Sequence, residues 1–393
     1  MANASRPETG RLALRRMPLM AIGLLSMACG AWLGLVRVGW NLPLPWPEAL
    51  IAHGPLMVCG FLGTLISLER AVALGAPWGY TAPALVAAGA LALDLPFMAH
   101  FGPPLIAAGS IILIAIFAVL WRRQATLYMA TMGLGAVAWT IGNLLWLDGF
   151  AIFRLVGWWL AFLVLTIAGE RLELNRVLRP TPVVRAIFVC ATVLVGAGVA
   201  ASLRWPEAGV RVLGAGLLLL AAWLFRYDVV RRTVRQRGVT QYMAITLLGG
   251  YGWLAIGAVV ALATGVTAPG VVYDAMLHAV FLGFVMSMVF AHAPVIFPAV
   301  LGRPLLYGPR FYLHVAVLHA SLVLRIVGDL DADLGRWRVW GGLWNALALA
   351  MFVINVGASI AIAYRADPVR RAPTGDREGR SVRRRIEGRE TSA

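Results

Sequence analysis

Twelve stretches of this chain are long and apolar enough to cross a lipid bilayer, and no other feature constrains its fold as strongly. A spanning helix needs about 20 apolar residues, because a hydrocarbon core of about 30 Å is covered at 1.5 Å per residue. The stretches run approximately 18–37, 47–70, 80–99, 103–121, 126–147, 151–170, 182–203, 207–226, 241–264, 271–293, 309–328 and 338–363. Within lipid the backbone must satisfy its own hydrogen bonds, so stretches of this length are read as helices. The expected fold class is all-α, an integral membrane protein of twelve transmembrane helices. Composition agrees. Of 393 residues 60% are hydrophobic and 13% charged, against roughly 45–50% and about 25% in soluble domains. A soluble enzyme and a disordered chain are both excluded.

The net charge of +16 does not mark a nucleic-acid-binding protein. The 34 basic residues are all arginines, and they fall in short runs between apolar stretches or in the two tails. The loops after the second, fourth, sixth, eighth and tenth stretches carry Arg70, Arg122 with Arg123, Arg171 with Arg176 and Arg179, Arg231 with Arg232, Arg235 and Arg237, and Arg303 with Arg310. Opposite loops are acidic or poor in arginine, as at Asp148 and at Asp329, Asp331 and Asp333, with Arg204 and Arg336 as exceptions. The positive-inside rule then places both termini in the cytoplasm of a bacterial-type inner membrane. Residues 1–364 form the membrane domain. Residues 365–393 read as a disordered, arginine-rich cytoplasmic tail. Absence of lysine removes Schiff-base and lysine-base chemistry. Cys29, Cys59 and Cys190 form no CxxC pair, which argues against a disulfide framework or a cysteine zinc site.

An internal repeat organises the helices. Tyr128, Met129, Ala130, Gly135 and Trp139 of the fifth stretch recur as Tyr242, Met243, Ala244, Gly249 and Trp253 of the ninth, each pair 114 residues apart. The second and sixth stretches both end in Glu-Arg, at Glu69-Arg70 and Glu170-Arg171. Both echoes link stretches four apart, which suggests three pseudo-repeated units of four helices over about 18–121, 126–226 and 241–363. The alternative is chance likeness between apolar segments.

Ionisable side chains inside a membrane are costly and each needs a reason. His100 lies in an outer loop. His53 and His278 lie about six and seven residues into the second and tenth stretches, both counted from the outer end, so roughly 10 Å deep. Two histidines at equal depth on pseudo-equivalent helices suit bis-axial ligation of one heme between them. The alternative is two unrelated histidines, each bonded to a neighbouring carbonyl.

The local sequence adds a resemblance. Ala52-His53-Gly54-Pro55-Leu56-Met57 resembles the second helix of heme–copper oxidase subunit I, whose signature is Ala-His-Gly-x-Leu-Met. Tyr273, His278 and Gly283 resemble that family's tenth helix. The resemblance implies twelve helices in three units of four and one low-spin heme, of b type, on His53 and His278. The family's high-spin heme ligand falls on Met276. Its copper ligands come from helices six and seven, where residues 151–170 and 181–204 hold no histidine. The resemblance therefore implies no oxygen reductase. The chain also resembles the NnrS family of twelve-span heme proteins linked to nitric-oxide response, through His278-Ala279, Ser287-Met288 and Gly302-Arg303-Pro304-Leu305.

Heme propionates would face the outer side and need cations. Arg37, Arg154 and Arg325 lie near the outer ends of their stretches, Arg325 being favoured because its stretch follows the tenth. At the inner side, Glu69, Glu170, His292, His314 and His319 form a second candidate group. They could bind a metal such as copper, relay protons, or simply pair with nearby arginines. The functional expectation is a heme-binding membrane protein in nitric-oxide response or electron transfer, its partners being the bilayer and a redox partner or nitric oxide. The alternatives are a twelve-span secondary transporter and a heme-free assembly scaffold for a respiratory complex.

Overall fold

The computed structural model describes residues 6–302 and 305–366. All regular structure among these residues is helical. The tail from residue 367 onward, and Arg303 and Pro304 of the Gly302–Leu305 motif, lie outside the described residues.

The helices are α1 (Arg6–Val38), α2 (Pro47–Leu74), α3 (Thr81–Leu93), α4 (Gly102–Arg123), α5 (Leu127–Leu147) and α6 (Ile152–Asn175). They continue as α7 (Pro182–Ser202), α8 (Pro206–Tyr227), α9 (Val239–Thr264), α10 (Val271–Val300), α11 (Phe311–Leu330) and α12 (Gly335–Ala366). Among the described residues, eleven helices are long and apolar enough to cross a membrane. The protein is an all-α, multi-pass membrane protein.

The helix ends are written locally. Proline opens α2, α7 and α8, where its missing N–H costs nothing. Thr181 caps α7, its side-chain oxygen accepting from the Val184 N–H. Gly75 ends α2 and Gly265 ends α9 in the left-handed region, at φ 71° and 60°.

The third expected stretch departs from the expectation of 80–99. Its helix α3 has 13 residues, continuing a 3₁₀ turn over Pro77–Tyr80. That is about 20 Å of α-helix, short of the roughly 30 Å hydrocarbon core. The sequence ends it early: Asp94 is the C-cap, and Pro96 cannot extend a helix and disfavours it at Leu95.

Consecutive helices pack against one another, and α1 also packs on α12. The burial pattern sets α6 and α10 apart. In their apolar windows 72% and 67% of residues are buried, followed by α2 and α8 at 56%. The helices carrying His53 and His278 are thus among the most enclosed.

Both of those helices change their winding. α2 is π-helical over Leu56–Gly63, and α10 over Ala279–Met286, eight residues each. A π segment lets backbone bonds reach one residue further and re-aims the flanking side chains, and such segments cluster at functional sites. Gly63 and Gly283, in these two segments, lie under the rings of Trp139 and Trp253, where a side chain would collide. These are the two tryptophans of the 114-residue echo.

One buried ion pair ties the arginine-rich end together. Arg171 of α6 donates from Nε and Nη2 to Oδ2 and Oδ1 of Asp228, at 2.7 and 2.6 Å. Tyr251 of α9 donates to Oδ2 at 2.9 Å, and the Val230 N–H donates to Oδ1 at 2.9 Å. A buried carboxylate is tolerable when its lone pairs are filled in this way.

Candidate functional site

His53 stands one turn before the π segment of α2, and His278 immediately before that of α10. Their rings lie 6.3 Å apart between centroids, with planes 22° from parallel. Each ring is anchored through Nδ1. His53 Nδ1 donates to the Gly30 carbonyl at 2.7 Å, and His278 Nδ1 to the Asp274 carbonyl at 2.9 Å. A carbonyl only accepts, so the proton of each neutral imidazole sits on Nδ1. Nε2 is then left as a lone pair. Among the described residues no protein group hydrogen-bonds to either Nε2.

His53 is positioned by α1 as well as by α2. A Cβ on Gly34 would stand 2.8 Å from its Cε1 and 3.0 Å from its Nδ1. Only glycine at that position lets the imidazole lie against the α1 backbone and reach Gly30.

The two histidines line one cavity of about 720 Å³, within the range of roughly 300–1,000 Å³ common for small-molecule and cofactor sites. Its walls are mainly apolar and include Met57, Trp146, Phe153, Tyr273, Phe281 and Met286. Arg37, Arg325 and Arg338 line it as the charged groups of one sign, and Asp274 as the carboxylate. Tyr273 donates its hydroxyl to the Phe153 carbonyl at 3.3 Å, joining α10 to the first turn of α6.

These residues fit a heme. Two imidazoles bound to one metal at about 2.0–2.1 Å, each with its nitrogen about 1.1–1.2 Å from the ring centre, put the centroids about 6.2–6.6 Å apart. The observed 6.3 Å falls within that range. The Nδ1–H donation to carbonyls is the arrangement that orients metal-binding histidines and raises their basicity. The cavity supplies apolar walls for a macrocycle and cations for carboxylates.

The three expected propionate partners separate. Arg325 lines the cavity but is already engaged. Its Nη2 and Nε donate to Asp274 Oδ2 at 2.7 and 3.2 Å. Arg37 lines it too, donating to the Leu50 carbonyl at 3.1 Å. Arg154 is not among the lining residues and lies over the Phe150 ring, 5.2 Å from its centroid. Phe150 is itself a lining residue, so Arg154 neighbours the cavity through that ring. Arg338, on the first turns of α12, takes a place in the lining that no sequence argument assigned to it.

The inner group does not assemble as a metal site. Among the described residues, no three His, Cys, Asp or Glu side chains are grouped to hold a metal ion. Each candidate instead has its own partner. Glu69 and Glu170 both accept from Arg70 Nη2, at 2.7 and 3.0 Å. His292 Nδ1 bonds the Met288 carbonyl at 2.8 Å. His314 Nε2 meets the Tyr242 hydroxyl at 3.3 Å. His319 Nδ1 accepts from Trp253 Nε1 at 2.8 Å. His314 Nε2 and His319 Nδ1 thus bond to α9, and among the described residues neither ring bonds Glu69 or Glu170. Arginine pairing is the reading that fits Glu69 and Glu170.

Sequence reasoning missed Asp274 and Arg338. Asp274 had a detectable signal, since it precedes His278 by four residues and so sits one helical turn away on the same face. Arg338 had none, because neither its register nor the packing of α12 on α11 is encoded locally.

A comparison with curated proteins finds no match. A family model described as "Domain of unknown function (DUF8744)" matches residues 16–361, nearly the whole membrane domain, and the chain belongs to that family.

Proposed function

For this member of the DUF8744 family we propose a heme-binding role in membrane electron transfer, with one low-spin heme b held between α2 and α10 by His53 and His278. The observation that carries the reading is the pair of rings at a centroid separation of 6.3 Å, with both Nδ1 atoms anchored and, among the described residues, no protein partner at either Nε2. When bound, the heme would supply a one-electron couple. His53 and His278 would both hold its iron, an arrangement that favours electron transfer over gas binding. A link to nitric-oxide response would then run through electron delivery. Arg37 and Arg338 would receive the propionates, Arg325 being held by Asp274, and the apolar wall of Met57, Phe281 and Met286 would keep water from the ring.

The arginine distribution supports a topology with the arginine-rich loops and both termini in the cytoplasm, the site opening to the outer face. That topology requires α3 to complete a crossing. The 114-residue echo between Trp139 and Trp253, each packed on a glycine of a π segment, supports the three-unit arrangement of four helices each. Residues 151–170 and 181–204 lack histidine, so oxygen reduction is not part of the proposal.

The test is heme stoichiometry by alkaline pyridine hemochrome on purified protein from heme-replete cells. One heme b per chain is expected for the wild type, with strong depletion in His53→Ala and His278→Ala. A folded wild-type protein without heme would sink the reading.

A further inference from the structure

The two histidines are not equivalent. His53 Nδ1 donates to a single backbone carbonyl, that of Gly30. His278 Nδ1 has that kind of partner and a carboxylate besides. It lies 2.9 Å from the Asp274 carbonyl and 3.2 Å from Asp274 Oδ1. The second carboxylate oxygen, Oδ2, is held by Arg325 at 2.7 and 3.2 Å. Arg325 comes from α11, so the orientation of Asp274 is fixed by tertiary packing and not only by its place in the first turn of α10. Its guanidinium is nearly buried, with 10% of the side chain exposed.

We propose that Asp274 is a positioning residue that sets the reduction potential of the heme through His278, with Arg325 as the counter-charge that limits its effect. This rests on the heme reading above. The Nδ1–H goes to the Asp274 carbonyl, and a carboxylate oxygen 3.2 Å from the same nitrogen adds negative charge beside the ring, which makes Nε2 a stronger donor. A stronger donor stabilises the oxidised, ferric state over the ferrous one and lowers the potential. Arg325 pulls the other way, by neutralising the carboxylate across the 2.7 Å contact. Placing the charge on only one of the two ligands confines the tuning to α10. Because α11 supplies Arg325, any shift of α11 against α10 would alter the potential without moving either histidine. An acidic residue in a first helical turn also stabilises the helix dipole, so the test must read more than stability.

The experiment is a redox titration of purified holoprotein, with EPR of the ferric form, on wild type, Asp274→Asn, Arg325→Gln and Arg37→Gln. Asp274→Asn is expected to raise the midpoint potential and widen the spread of g values, since a weaker donor replaces a stronger one. Arg325→Gln is expected to lower the potential beyond Arg37→Gln. Arg37 lines the same cavity without bonding Asp274, so it controls for the loss of one cation. An unchanged potential in Asp274→Asn with an intact bis-histidine spectrum would overturn the proposal and leave the heme reading standing. If Asp274→Asn retains no heme, the arginine pair decides: equal shifts in Arg325→Gln and Arg37→Gln would overturn it. A heme-free wild type would instead be a failure of the heme reading.

Discussion

Gly34 of α1 and His53 of α2 meet so closely that a single added carbon on Gly34 would stand 2.8 Å from the imidazole Cε1. The pair explains how a helix with no ligand of its own helps to aim one. It also gives a prediction that touches neither histidine. Gly34→Val should push His53 from the Gly30 carbonyl and weaken heme retention by about 10–100-fold, the range typical of lost outer-shell support. Heme content after dilution or dialysis measures it. Retention equal to wild type would show that the ring does not need its seat on α1.

The cavity lining separates two arginines that look alike in sequence. Arg338 lines the cavity, while Arg154 lies over Phe150. Arg338→Ala should speed heme loss to a heme scavenger, and Arg154→Ala should leave the rate at the wild-type value. The rates can be followed by absorbance. Equal effects would contradict the assignment of the outer cations.

The 22° angle between the two imidazole planes has a spectroscopic consequence. Nearly parallel axial imidazoles split the iron d orbitals rhombically. Frozen ferric protein should therefore give an ordinary three-line rhombic low-spin EPR spectrum. A single highly anisotropic low-field feature, the mark of perpendicular rings, would contradict the observed ring geometry.

Stability should depend most on the far end of the bundle. Asp228→Asn leaves the Arg171 guanidinium without its buried counter-charge, which costs about 3–5 kcal/mol when one partner of such a pair is removed. Tyr251→Phe removes one hydrogen bond to the same carboxylate and should cost about 1 kcal/mol. Thermal unfolding in detergent compares the two. A Tyr251→Phe loss as large as that of Asp228→Asn would mean that the ion pair contributes little.

Hydropathy made most of the membrane architecture legible, because lipid forces nearly every apolar run of 20 residues into a helix. It overran the third helix, which ends at Leu93 and not at 99. There Asp94 and Pro96 stop the helix, and hydropathy averages over such terminators. The pairing of His53 with His278 could be anticipated from equal depth, since depth depends only on residue number and rise per residue. Angular position is different. Whether Arg154 or Arg338 turns into the cavity depends on helix rotation, and a π segment shifts the register of everything beyond it. The inner group of Glu69, Glu170, His292, His314 and His319 shows the same limit. Those residues share a depth range, yet Trp253 and Tyr242 claim two of the rings and Arg70 claims both carboxylates. Asp274 stood four residues before His278 in plain view. What gives it meaning is Arg325, which comes from another helix.

Whether His53 and His278 hold one heme between α2 and α10 is tested most directly by the reduced-minus-oxidised visible spectrum of purified protein, recorded beside His53→Ala and His278→Ala variants of matched folding. A sharp six-coordinate low-spin spectrum is expected in the wild type and is lost in both variants. A colourless, well-folded wild type, or a spectrum that survives either substitution unchanged, would contradict the heme reading.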